Sequence, residues 1–143
     1  MISPSSINTF FSCPLRWKWM KEGKEGIPID DTLMRLGSMI HYTIKVYYER
    51  VSDNPTPDEI TNKALDTLNE VYDDSLSHKR KQAFSLINSF IDFEKKRLKT
   101  WKKYKPDLVE QRIVLDNDLV GIVDFYSENT IIDWKTGSYY YID

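Results

Sequence analysis

One cysteine, Cys13, stands in a chain of 143 residues, so no disulfide can close within it. No apolar run approaches the roughly 20 residues that cross a bilayer, and no basic start leads into an apolar stretch of the kind that marks a secretory leader. Both absences point to a cytoplasmic protein, in the host cell if the source is viral. Glycine is scarce, five in all, and no glycine-rich phosphate loop is built from it. No internal repeat, low-complexity tract or serine or cysteine nucleophile constellation is visible. Neither sign of charge dominates: 20 Lys and Arg stand against 22 Asp and Glu, a net charge of -2. A generic polyanion binder would be basic overall, so any contact with nucleic acid has to come from a local patch.

What is present suffices for one domain with a core, since 41% of the 143 residues are hydrophobic. Residues 1 to 105 read as mainly helical, and residues 106 to 137 as a sheet.

The stretch from Glu110 to Gly137 reads as three short antiparallel strands. Apolar and β-branched runs are broken by the turn formers Asp116-Asn117-Asp118 and Ser127-Glu128-Asn129. A two-residue loop at Glu128-Asn129 sets Ser127 opposite Thr130 and Asp124 opposite Asp133. Side chains alternate faces, so Lys135 shares the face of Asp133 while Trp134 points the other way. A three-residue loop at Asp116 to Asp118 sets Glu110 opposite Asp124. Three carboxylates and one ammonium then fall on one patch, where like charges across a ladder are destabilising. A divalent cation between them reverses that sign: oxygens of Asp124 and Asp133 suit Mg²⁺ or Mn²⁺, and Lys135 is placed to hold a water or a phosphate oxygen. By spacing alone a solvated face is an equal reading, because antiparallel sheets commonly have one wet side.

Gly121-Ile122-Val123-Asp124 followed by Asp133-Trp134-Lys135-Thr136-Gly137 resembles the G-x-x-D and D-x-K-T-G motifs of the PD-(D/E)XK nuclease superfamily, most closely its RecB-like and Cas4-like branch. The resemblance implies an α+β, restriction-endonuclease-like fold in which N-terminal helices precede a three-stranded antiparallel sheet bearing the site. It assigns metal binding to His41, Asp124, Asp133 and the Trp134 carbonyl. Lys135 then orients water and stabilises charge in the transition state, and Glu110 holds a second metal or an outer water.

Two further motifs carry the same resemblance. Gly37-Ser38-Met39-Ile40-His41 matches the metal-binding histidine and its helix; without the match, a histidine on that apolar stripe reads as a core residue. Gly37, lacking a Cβ, lets the helix approach the sheet. Phe10, Cys13-Pro14 and Trp17 match the N-terminal signature, in which the cysteine is one of four iron–sulfur ligands in some members. With no second cysteine in the chain, no cluster is expected, and Cys13 reads as a small buried hydrophobe.

Around these motifs the periodicity predicts four helices. Residues 2 to 20 form an N-capped helix with Ile7, Phe10, Phe11 and Trp17 on its apolar face, interrupted near Pro14. A loop covers residues 21 to 31. Residues 32 to 51 follow, with Leu33, Leu36, Ile40, Ile44, Tyr47 and Val51 inward. Residues 57 to 75 bury Ile60, Ala64, Leu68 and Tyr72, and residues 79 to 104 bury Ala83, Ile87, Phe90, Ile91, Leu98 and Trp101. His78 reads as surface.

From 79 to 105 there are ten basic residues against Asp92 and Glu94. The later cluster, Lys95, Lys96, Arg97, Lys99, Lys102 and Lys103, reads as a track for the DNA backbone, beside the plainer reading of helix solubility and compensation of the helix dipole. Trp101 and Tyr104 are placed either to stack bases or to join the core.

The family core carries a further helix and strand after the D-x-K strand, and little follows Gly137 here. A short natural version, a truncation, or completion of the sheet by a second copy or a partner protein each fit, and Ile131 and Ile132 otherwise lie on an uncovered strand. The function these readings imply is a metal-dependent DNA nuclease, Cas4-like or RecB-like and exonucleolytic, acting on single strands or free ends with Mg²⁺ or Mn²⁺. Its catalytic residues are Asp124, Asp133, Lys135 and Glu110. The alternatives are a non-catalytic nuclease-fold accessory or regulatory protein in DNA processing or CRISPR adaptation, and a structural protein whose basic helix binds an acidic partner.

Overall fold

Helix α3 (Thr32–Arg50) is the element on which the others converge, touching the next two helices and the first strand. The computed structural model describes residues 2–24, 26, 30–115 and 119–137. The expected turn at Asp116 to Asp118, parts of the loop at 21 to 31, and residues 138–143 lie outside them. Leu36, Ile40, Ile44 and Tyr47 recur at helical spacing on α3 and are buried, each aliphatic side chain stabilising by roughly 1.5–3 kcal/mol. Leu33 does not join them: it sits in the first turn and is exposed.

Helix α4 (Pro57–Val71) begins where Thr56 accepts from the Glu59 amide and Pro57 occupies the first turn. It packs Ile60, Ala64 and Leu68 against the core and stops at Val71, short of the expected 75. A 3-10 segment (Asp74–Lys79) then leads into α5 (Arg80–Thr100). The single helix expected from 79 to 104 is therefore shorter at both ends. Trp101 caps it in extended conformation and, like Tyr104, packs against the core.

The N-terminal segment is two helices, α1 (Pro4–Ser12) and α2 (Pro14–Lys21), broken where Cys13 is extended at φ -158, ψ 95. The ring of Pro14 excludes Cys13 from helical geometry, and the chain turns there. The Trp17 indole donates to the Ser6 hydroxyl at 2.8 Å and meets Phe10 edge to face, which joins the two helices. Neither buries a residue, and Cys13 at the corner is exposed rather than buried. The expected apolar core face of this segment is thus uncovered, with Phe11 79% exposed.

Strands β1 (Leu108–Leu115), β2 (Leu119–Ser127) and β3 (Thr130–Ile132) form an antiparallel sheet in the order β1-β2-β3. Ser127 pairs with Thr130, and Glu128 and Asn129 both take positive φ, the geometry of a tight two-residue hairpin. Val109 pairs with Phe125 and Gln111 with Val123, the register that brings Glu110 and Asp124 abreast. The described chain is the expected α+β arrangement of helices followed by a sheet. No helix among the described residues is long and apolar enough to cross a membrane.

Candidate metal centre

The sheet and α3 meet at Gly37. A Cβ there would lie 2.9 Å from the Thr136 hydroxyl oxygen, so the glycine permits the helix to lie against the chain leaving β3. One turn on, the same helix presents His41 to the sheet. Its Nδ1 lies 2.7 Å from Glu110 Oε1 and 3.8 Å from Asp124 Oδ2, while Nε2 lies 3.1 Å from the Trp134 carbonyl oxygen. Ligand atoms of His41, Glu110 and Asp124 all fall within 4.8 Å of one another.

Two local features hold the carboxylates in place. Glu110 takes φ 45, a left-handed conformation unusual for a residue with a side chain, and the ladder is regular on either side of it. Asp124 accepts from the Trp134 amide at 2.8 Å. The indole of Trp134 meanwhile packs on Phe90, Phe93 and Phe125, so a core aromatic fixes the residue whose amide donates to Asp124 and whose carbonyl meets His41.

β3 ends at Ile132, so Asp133 and Lys135 lie beyond the ladder. Asp133 is hydrogen-bonded to Asp124 and forms an ion pair with Lys135. Desolvation pushes the Asp124 carboxyl above its ordinary range, a tendency the Trp134 amide opposes and Asp133 reinforces. For Asp133 desolvation acts in the same direction, yet Lys135 and Asp124 together outweigh it and hold the group below the ordinary range. The pair therefore divides its charge unequally, with the anion favoured on Asp133.

His41, Glu110 and Asp124 line a cleft of ≈ 530 Å³ with Gly37, Ser38, Tyr42, Lys45 and Ile122. Lys135 lines a separate, more apolar hollow with Phe90, Phe93 and Trp134. The structure thus groups His41, Glu110 and Asp124 most tightly, with the Trp134 carbonyl beside them and Asp133 adjoining Asp124. A divalent cation takes carboxylate and imidazole donors at about 2.0–2.3 Å, so one ion spans this trio with little movement.

The basic track divides. Lys96, Lys99, Lys102 and Lys103 are exposed and Lys95 is half-buried. Lys103 pairs with Asp107 at 2.5 Å. Arg97 does not belong to this surface: it is 2% exposed, donates to Glu94 at 2.9 and 2.8 Å, and lies against Trp101, Tyr104 and Phe125. Its guanidinium is spent on the Glu94 carboxylate and on the Lys103 and Tyr104 carbonyls, which leaves no face for a phosphate. His78 is exposed, as its context suggests.

Sequence reasoning overlooked Lys45 and Tyr42 in the cleft. For Lys45 the available signal was its spacing on α3, four residues beyond His41; Tyr42, one residue beyond, gave no such signal.

Comparison with curated proteins and with solved structures gives no match. A family model does match, over residues 1–141, and it is that of the PD-(D/E)XK nuclease superfamily. A match over nearly the whole length, on a chain that gathers an imidazole and two carboxylates at the junction of α3 with the sheet, places this protein in the PD-(D/E)XK nuclease superfamily.

Proposed function

We propose that the chain is a metal-dependent deoxyribonuclease that hydrolyses phosphodiester bonds at the His41–Glu110–Asp124 cleft. The convergence of these three donor groups within 4.8 Å carries the reading. Membership of a nuclease superfamily supplies the reaction class and the nucleic-acid substrate. The finer assignment, a Cas4-like or RecB-like exonuclease using Mg²⁺ or Mn²⁺, rests on the motifs Gly37 to His41, Gly121 to Asp124 and Asp133 to Gly137.

His41, Glu110 and Asp124 would hold the cation, with Asp133, hydrogen-bonded to Asp124, as the adjoining donor; the Trp134 carbonyl meets the other ring nitrogen of His41 and would hold the ring in place. A divalent ion bound there supplies positive charge to offset the phosphate and to acidify water. Mg²⁺ prefers oxygen donors, whereas imidazole in the set makes Mn²⁺ well tolerated. Asp124 accepts from the Trp134 amide, which would orient its carboxylate toward a bound ion. Lys135, paired with Asp133, supplies a cation at the edge of the site that stabilises charge developing on the phosphate. The exposed lysines of α5 attract the backbone of the DNA at long range.

The direct test is cleavage of labelled linear and circular, single- and double-stranded DNA in EDTA, Mg²⁺ or Mn²⁺, beside Asp124→Ala and Asp133→Ala. Cleavage that needs metal and disappears in both variants is expected. Absence of cleavage with DNA binding retained would replace the nuclease by a non-catalytic accessory role.

A further inference from the structure

Lys45 lies one helical turn after His41 on α3, a rise of about 6 Å along the helix axis. It lines the cleft that contains His41, Glu110 and Asp124, and is the one lysine or arginine among the described residues that does so. It also lines the adjoining hollow formed by Tyr48, Glu49, Lys105, Pro106, Asp107 and Val109. The two hollows therefore meet at this side chain. Lys45 is half-buried, and among the described residues it has no hydrogen-bond or ion-pair partner. Arg50, Lys103 and Lys105, by contrast, are each matched with a carboxylate.

With a divalent cation held by His41, Glu110 and Asp124, an ammonium at the mouth of the same cleft gives a phosphate chain a second positive partner. Beyond Lys45 the character changes: Glu49 and Asp107 line the second hollow, and Lys105 is paired with Asp53 at 3.4 Å. A phosphate chain is thus welcomed up to Lys45 and not past it. The walls flanking the cleft are Tyr42, 56% exposed, and Ile122, 63% exposed. Exposed aromatic and aliphatic surfaces beside a phosphate site suit an unpaired base, which can offer its face, whereas bases within a duplex stay stacked on one another.

We infer that the cleft seats an unpaired DNA strand, with Lys45 clamping the phosphate next to the one that is cut and Tyr42 stacking on the base between them. This rests on the nuclease reading and adds to it the two residues of this chain, Lys45 and Tyr42, that position the strand. Lys45 and Tyr42 act in binding and positioning, and the metal ligands do the rest.

The test uses a fluorescent single-stranded oligonucleotide and the matching duplex. Binding is followed by anisotropy in Ca²⁺ or Mn²⁺ across a salt series, and the same mixtures are run on gels for cleavage. Lys45→Ala is expected to weaken single-strand binding and to lower the slope of log affinity against log salt by about 0.7, the loss of one phosphate contact. Lys45→Arg should restore most of both, and thermal unfolding should be unchanged. Tyr42→Ala should weaken the single strand about fivefold or more with little effect on the duplex, and Tyr42→Phe should keep the affinity. Unaltered affinity and salt slope in Lys45→Ala, or equal losses on single strand and duplex in Tyr42→Ala, would overturn the inference. If the unmodified protein never cleaves while Lys45→Ala still shows these losses, the nuclease reading falls and the strand site stands.

Discussion

Glu110 joins the candidate site against the preference of its own backbone. Its φ of 45 lies where a Cβ crowds the neighbouring carbonyl, a conformation that disfavours any side-chain-bearing residue by about 1–2 kcal/mol. The carboxylate nonetheless reaches His41 at 2.7 Å. Glycine relieves the crowding and alanine does not. Glu110→Gly is therefore expected to be more stable than Glu110→Ala by about 1 kcal/mol in denaturant titration, while both lose affinity for Mn²⁺. Equal stability of the two variants would show that the strand relaxes and that the left-handed backbone has no cost. None of this was legible in the sequence, because a glutamate inside an alternating strand gives no sign of positive φ. The pairing of Glu110 with Asp124 was legible, since turn residues and strand alternation fix the register from both sides.

Helix α5 carries the clearest divergence between pattern and packing. Arg97 sits in a run of lysines and reads as one more surface charge, yet it is buried against four aromatic rings and paired with Glu94. The signal was present in Glu94 three residues earlier and in the Trp101 and Tyr104 rings that follow, but charge counting does not weigh them. Removing one partner of a buried pair leaves the other uncompensated, so Arg97→Ala is expected to lower unfolding stability by about 3–5 kcal/mol. Lys96→Ala and Lys99→Ala, on the exposed face, should stay within about 0.5 kcal/mol. A stable Arg97→Ala protein with weakened DNA binding would instead return this residue to the phosphate track. The apolar faces of α3 and α4 were readable because their spacing matches the helical period and tertiary partners lie on that side. For α1 and α2 the same spacing was present without a covering partner, which periodicity alone does not reveal.

Taken whole, the molecule places its helical core on one side of the sheet and concentrates the candidate ligand groups where α3 meets β1, beside β2. The exposed lysines at the end of α5 adjoin the β2–β3 turn, where the Lys103 amide donates to Glu128 at 2.8 Å. Asp124 lies four residues back from Glu128 along β2, about 14 Å, so the basic end of α5 and the cleft are near enough to share one stretch of nucleic acid. That arrangement reconciles a net charge of -2 with a polyanionic substrate: attraction is local, and the acidic remainder leaves the rest of the surface unattractive to phosphate. The motif residues were readable as candidates because each sits next to a structural cue: Gly37 before His41, Gly121 before Asp124, and the tight turn before Asp133. Their division into a tight trio with Asp133 and Lys135 alongside depends on where β3 ends and on the packing of Trp134, which are tertiary facts.

The most direct measurement is Mn²⁺ binding, by calorimetry or electron spin resonance, to the unmodified protein and to His41→Ala, Glu110→Gln and Asp124→Asn. One site that weakens at least tenfold in each of the three variants, with folding retained, is the expected result. A Mn²⁺ affinity unchanged by all three substitutions, or no binding by the unmodified protein, would contradict a metal centre at this cleft.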